Sequence, residues 1–154
     1  MLIVGYGSTI RGDDAAGPAA ARRLAALGFD SIDVQQLTPE LAERVAAART
    51  VFFLDAHAGL EPGAVSLIPL TEGATGPLEH HATPAGLLRL ARTTFGAAPE
   101  AWLVAIGGER FEFSEQLSSR ARRGVEVAVE QVLEMVNGNS GDDGAGTRNL
   151  RRDS

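Results

Sequence analysis

Apolar positions along the chain fall into short clusters with two periods, and their alternation predicts the architecture. Met1–Val4 is a continuous apolar run closed by Gly5-Tyr6-Gly7, the pattern of a buried strand feeding a tight loop. Residues 14–27 are rich in Ala and Leu and predict a helix, with Asp13 or Asp14 as its N-cap and Pro18 in its first turn, where a missing N–H costs least. Residues 31–37 alternate as a second strand. Thr38-Pro39-Glu40 then starts a second helix, with Pro at its first position and Leu41 and Val45 on its apolar face.

Residues 50–54 are β-branched, aromatic and uniformly apolar, as a strand buried on both faces requires, and the run ends at Asp55. A turn between Gly59 and Gly63 leads to a fourth strand over 64–70, which is antiparallel because the connection is too short for a crossover helix. Residues 71–79 read as a loop. Thr83-Pro84 caps a third helix bearing Leu87, Leu88, Leu90 and Ala91, stopped at Gly96. A fifth strand over 101–106 and a loop over 107–116 precede the last helix. That helix, 118–137, carries Ala121, Val125, Ala128, Val129, Val132, Leu133 and Val136 on one stripe, with Asn137-Gly138 closing it. Residues 139–154 are polar, Gly-rich and without a stripe, so the expected division is a domain over 1–138 and a disordered tail over 139–154.

Strands alternating with helices in this order predict an α/β three-layer sandwich. Its sheet is five-stranded, twisted and mostly parallel, with helices on both faces. Right-handed crossovers place the first strand between the second and third. Ligands in such sheets bind beyond the carboxyl ends of the strands, where the winding reverses, here between Gly5 and Asp55.

Composition narrows the function. The 154 residues, 44% hydrophobic, fit one domain with its own core. The net charge is −6, and every cation is Arg, since the chain has no Lys. Non-specific nucleic-acid binding needs a basic face to displace counterions, so nucleic acid is not an expected partner. With no Cys, disulfides, thiolate metal sites and Cys nucleophiles are excluded. No apolar run approaches the roughly 20 residues that span a bilayer, and no basic leader opens the chain, so a cytoplasmic protein without a membrane partner is expected.

Candidate chemistry gathers at the switch point. The loop Gly5-Tyr6-Gly7-Ser8-Thr9-Ile10-Arg11-Gly12-Asp13-Asp14 begins like a dinucleotide fingerprint. Ile10, however, stands in place of the third Gly, and two carboxylates occupy the helix start where a pyrophosphate needs positive potential. Helix capping accounts for one of those acids, not for both. Asp55 at a strand end reads equally as a loop-capping acid or as part of a site beside that loop. The three histidines, His57, His80 and His81, fall within one stretch, and carboxylates with imidazole from adjoining loops form a divalent-metal set. No H-E-x-x-H motif is present, and no G-x-S-x-G elbow surrounds Ser8, Ser114 or Ser118. Read from its residues alone, the chain is a small acidic α/β domain with an oxygen- and nitrogen-ligated metal site.

Five blocks, in order and spanning nearly all of residues 1–138, carry a resemblance. They are Gly5–Pro18, Gln36-Leu37-Thr38-Pro39-Glu40-Leu41, Phe53-Leu54-Asp55-Ala56, His80-His81-Ala82-Thr83-Pro84 with Leu87-Leu88, and Phe111-Glu112-Phe113 with Leu117-Ser118. Together they resemble the hydrogenase maturation endopeptidases, whose opening pattern runs roughly G-x-G-N-x-L-R-G-D-D/E-G-x-G. Ser8 stands where that pattern has Asn, and Ala15 where it has Gly.

The resemblance implies a nickel-dependent endopeptidase that removes a C-terminal peptide from the precursor of a [NiFe]-hydrogenase large subunit. The nickel arrives in the substrate, no organic cofactor is involved, and the enzyme acts as a monomer. The family's acid, acid and imidazole trio falls on Asp14, Asp55 and His80, which would both bind the metal and carry the catalysis. His81 is the alternative to His80, whereas His57 matches no ligand position and reads as a solvated loop histidine. A second reading keeps the partner and drops the chemistry: a non-catalytic maturation chaperone, or metal-dependent binding module, for the same precursor. A peptidyl-tRNA hydrolase shares the glycine-loop start, but its N-P-G and R-H-N features are missing and the net charge opposes tRNA binding.

Overall fold

The computed structural model describes residues 1–71 and 83–145, with side chains to residue 138. Strand β1 (Leu2–Tyr6) leads through a 3-10 turn (Gly12–Ala15) into helix α1 (Ala16–Ala26). After it come β2 (Ser31–Val34), a second 3-10 turn (Pro39–Leu41), α2 (Ala42–Ala47), β3 (Thr50–His57) and β4 (Val65–Leu70). Helix α3 (Pro84–Phe95), β5 (Glu100–Gly107) and α4 (Ser119–Ala145) complete the described chain.

The sheet runs β2-β1-β3-β5-β4, with only the β4–β5 pair antiparallel. The expected place of β1 between β2 and β3, the five strands and the antiparallel β4 are all observed, and β4 pairs with β5 rather than with β3, which precedes it in the chain. Side-chain alternation explains why β1 and β3 read as unbroken apolar runs. Ile3, Phe52 and Leu54 point into a core roofed by α1 and α4, with Ala20, Leu24, Val125 and Val132. Their neighbours Leu2, Val4, Val51 and Phe53 point the other way, against Val45 of α2 and Leu87, Leu88 and Ala91 of α3. Fully burying a side chain of this size stabilises the fold by about 1.5–3 kcal/mol, so each strand contributes to two cores at once.

Local signals hold at the third helix. The Thr83 hydroxyl accepts from the Gly86 amide at 3.1 Å, and Gly96 closes the helix in the left-handed region at φ 78°.

Several boundaries differ from expectation, and β2 ends at Val34, three residues short of the expected 31–37. Neither Asp13 nor Asp14 caps α1: the flanking residue is Ala15, with no side-chain cap bond, because both carboxylates are engaged elsewhere. Strand β3 continues two residues beyond Asp55, paired with β5 through His57↔Gly107. Helix α4 runs to Ala145, past the stop expected at Asn137-Gly138, and so includes the first residues of the segment expected as a disordered tail. That stretch holds Gly138, Gly141 and Gly144, each costing about 1 kcal/mol of helix propensity, and the helix runs through them. The remainder of that tail, 146–154, lies outside the described residues. Among the described residues no helix is long and apolar enough to cross a membrane.

Candidate active site

The parallel pairing of β1 with β3 places Gly5 beside Leu54, so Tyr6 and Asp55 come next on the two strands, side by side where β1 ends. The loop after β1 must then fold back over this edge before α1 begins. Glycine permits the fold. Gly7 adopts φ 145°, and a Cβ there would overlap the carbonyl oxygen of Asp14. That close approach brings residue 14 back beside the end of β1. Its carboxylate accepts from the Ser8 amide at 2.7 Å, which fixes the side chain across the loop.

Asp14 and Asp55 therefore face one site, near enough that the Asp14 charge raises the affinity of Asp55 for its proton. Burial is the larger cause, and together with the neighbouring carboxylate it pushes the Asp55 carboxyl up to about 6. A hydrogen bond from the Tyr6 hydroxyl, the charge of His57 and the Ala56 amide act in the opposite direction. Tyr6 is affected in return: burial first, then Asp55 and Asp14, hold its hydroxyl protonated far above the ordinary phenol range.

Asp13, one residue before Asp14, has a different environment. It is fully buried and accepts four hydrogen bonds. The amides of Glu109 and Arg110 and the Ser118 hydroxyl donate to Oδ2 at 2.7, 3.0 and 2.7 Å, and the Ser118 amide donates to Oδ1 at 2.7 Å. Burial alone would raise this carboxyl, but the donated hydrogen bonds outweigh it and hold the group below its ordinary value. Around it the Asp13 amide donates to the Arg110 carbonyl, the Gly12 amide to the Ser114 carbonyl, and the Ser114 amide to the Ile10 carbonyl. The first loop and the loop over 108–118 thus form one hydrogen-bonded unit.

Of the expected trio, Asp14 and Asp55 come together, while His80, like its alternative His81, lies outside the described residues. His57 is exposed, as expected, but it ends β3 rather than sitting in a loop, and its charge reaches Asp55. Positions i and i+2 of a strand share a face, a relation visible in the sequence had the strand been extended to His57. Tyr6 was also missed, because a tyrosine between two loop glycines carries no pattern of its own. Among the described residues no group of three metal-ligating side chains converges. Of the expected set, the described residues hold the two carboxylates, Asp14 and Asp55.

The departures from the family pattern leave these carboxylates where they are. Ala15 sits at φ −82°, so no positive φ is demanded of it. The Ser8 hydroxyl accepts from the Ile10 amide at 3.4 Å, a local bond within the loop.

No protein-family model matches the chain, and no curated protein matches it in sequence. Solved structures do match in fold. The hydrogenase 2 maturation peptidase from Thaumarchaeota archaeon SCGC_AB-539-E09 superposes with a TM-score of 0.68 at 24% identity, over 88% of this chain and 97% of its own. The [NiFe] hydrogenase maturation protease HybD from Thermococcus kodakarensis gives 0.64 at 23% identity, over 87% and 97%. The hydrogenase maturating endopeptidase HybD from E. coli gives 0.70 at 22% identity, over 90% and 92%. Over nearly its whole described length, this chain has the fold of those proteins.

Proposed function

We propose that this protein is an endopeptidase that removes a C-terminal peptide from the precursor of a [NiFe]-hydrogenase large subunit, acting on precursor loaded with nickel. The observation that carries this reading is the convergence of Asp14 and Asp55 at the switch point of a sheet whose fold is that of hydrogenase maturation proteases. The metal belongs to the substrate. Asp14 and Asp55 offer oxygen donors to it from the protease side, and His80 is the proposed third ligand, a donor set that suits Ni²⁺. Bound there, the ion would mark the precursor as loaded and act as a Lewis acid.

The chain's own residues do the rest. The Ser8 amide holds the Asp14 carboxylate in one orientation, and Tyr6 lies beside Asp55 and favours its charged form. A carboxylate of the pair is also available to orient the attacking water beside the ion.

The test is a processing assay on nickel-loaded precursor. Wild-type protein should shorten it, and Asp14→Ala, Asp55→Ala and His80→Ala should each abolish cleavage with the fold intact, while His81→Ala stays active. Precursor that remains full length while forming a stable complex would establish the chaperone reading instead. An inactive His81→Ala beside an active His80→Ala would exchange the two histidines.

A further inference from the structure

Asp13 is the only fully buried acid among the described residues, and it touches neither Asp55 nor Tyr6 in any hydrogen bond. A carboxylate taken wholly out of water has to be matched by donors, and this one is matched by four from a loop about a hundred residues away in sequence. Both its oxygens are used. The backbone on either side is pinned to the same loop, through Gly12 to Ser114 and through Asp13 itself to Arg110. Gly12, at φ 56°, lies so close to the Arg110 carbonyl that a Cβ could not be added without displacing it. The turn Gly12–Ala15 therefore cannot shift by itself, and the next side chain along it is Asp14.

We infer that Asp13 is a positioning residue for this site: its buried carboxylate locks the Gly12–Ala15 turn to the loop over 108–118, and so sets where the Asp14 carboxylate stands opposite Asp55. The inference rests on the peptidase reading for its kinetic consequence, not for its geometry. Asparagine in place of Asp13 keeps one acceptor oxygen, but it turns an NH₂ group toward a donor, the Ser118 amide or the Glu109, Arg110 and Ser118 donors. The turn must relax, and Asp14 moves with it. A displacement of about 1 Å in a catalytic group costs on the order of a hundredfold in rate.

The experiment compares wild type with Asp13→Asn, Ser118→Ala and Ser118→Thr, well below their melting temperatures. Two readouts are taken: kcat and KM on nickel-loaded precursor, and the resonance and exchange rate of the Ser8 amide, which donates to Asp14. Asp13→Asn should lose about a hundredfold in kcat with KM within about twofold, and its Ser8 amide should shift upfield and exchange faster. Ser118→Ala should show the same pair of changes to a lesser degree, and Ser118→Thr, which keeps the hydroxyl, should restore both. If these variants lower only the melting temperature, with kcat and the Ser8 amide unchanged in folded protein, Asp13 is a structural clamp and the inference fails. If wild type leaves the precursor full length, the peptidase reading fails, and the Ser8 amide still decides whether Asp13 positions Asp14. Should Asp13→Asn not fold, the two Ser118 variants carry the same decision.

Discussion

Asp13 and Asp55 illustrate the two directions in which burial can drive a carboxyl. At Asp13 four donated hydrogen bonds overcome the loss of solvent, and the charged form is the stable one. At Asp55 burial and the Asp14 charge prevail over the Tyr6 hydroxyl, so the protonated form is favoured up to about pH 6. An acid with a raised native pKa binds more protons folded than unfolded between its two values, so its contribution to stability falls as pH rises from about 4 to about 6. Above that range the ionised Asp55 is a net burden. Asp55→Asn should therefore abolish processing and yet stabilise the protein by about 1–2 kcal/mol at pH 7, with the gain absent at pH 4. Urea denaturation at the two pH values checks it, and equal gains at both would contradict the charge as its cause.

Among elements, the close seat of α1 against the sheet decides whether the first loop can reach Asp55. Gly17 faces β3 so closely that a Cβ would overlap the Leu54 carbonyl oxygen, and Gly5 meets the Gly17 carbonyl in the same way. Gly17→Ala has only backbone to push against. It should cost about 3 kcal/mol, at the upper end for overpacking, and lower processing by moving the turn that bears Asp14. Thermal melts with a parallel assay would detect both, and a neutral substitution would mean that α1 sits farther from the sheet. The start of α4 is tied to the same turn. Ser118 Oγ accepts from the Ala121 amide at 3.2 Å while donating to Asp13, so Ser118→Ala removes a helix cap and a bond to a buried charge. A loss of about 2–3 kcal/mol in chemical denaturation is expected.

For the molecule as a whole, buried Asp13 and half-buried Asp55 give opposite slopes to stability against pH. Asp13, with its pKa depressed on folding, contributes fully above its unfolded value near 4 and loses that contribution as pH falls through the native value. Asp55 lowers stability on the other side, between about 4 and 6. Together they place a maximum near pH 4–5. Asp13→Asn should flatten the acid limb, and Asp55→Asn the limb above it, as read from melting temperatures over pH 2–8. Unchanged limbs would assign the profile to other groups.

The layered α/β architecture was legible from the sequence because burying both faces of a strand demands a continuous apolar run, as in Leu2–Val4 and Val51–Leu54. The place of β1 between β2 and β3 followed from crossover handedness, and the caps at Thr83 and Gly96 from local backbone chemistry. These are properties of near neighbours or of composition, which a linear chain records. Whether Asp13 or Asp14 faces the site was not legible from composition or periodicity, and only the resemblance put it on Asp14. Two adjacent aspartates look alike in sequence, and only the arrival of Glu109, Arg110 and Ser118 buries one and leaves the other turned toward Asp55. The parts taken by Tyr6 and His57 were hidden for the same reason: the donors and charges that define a carboxyl's behaviour come from distant segments, and tertiary packing alone brings them within reach.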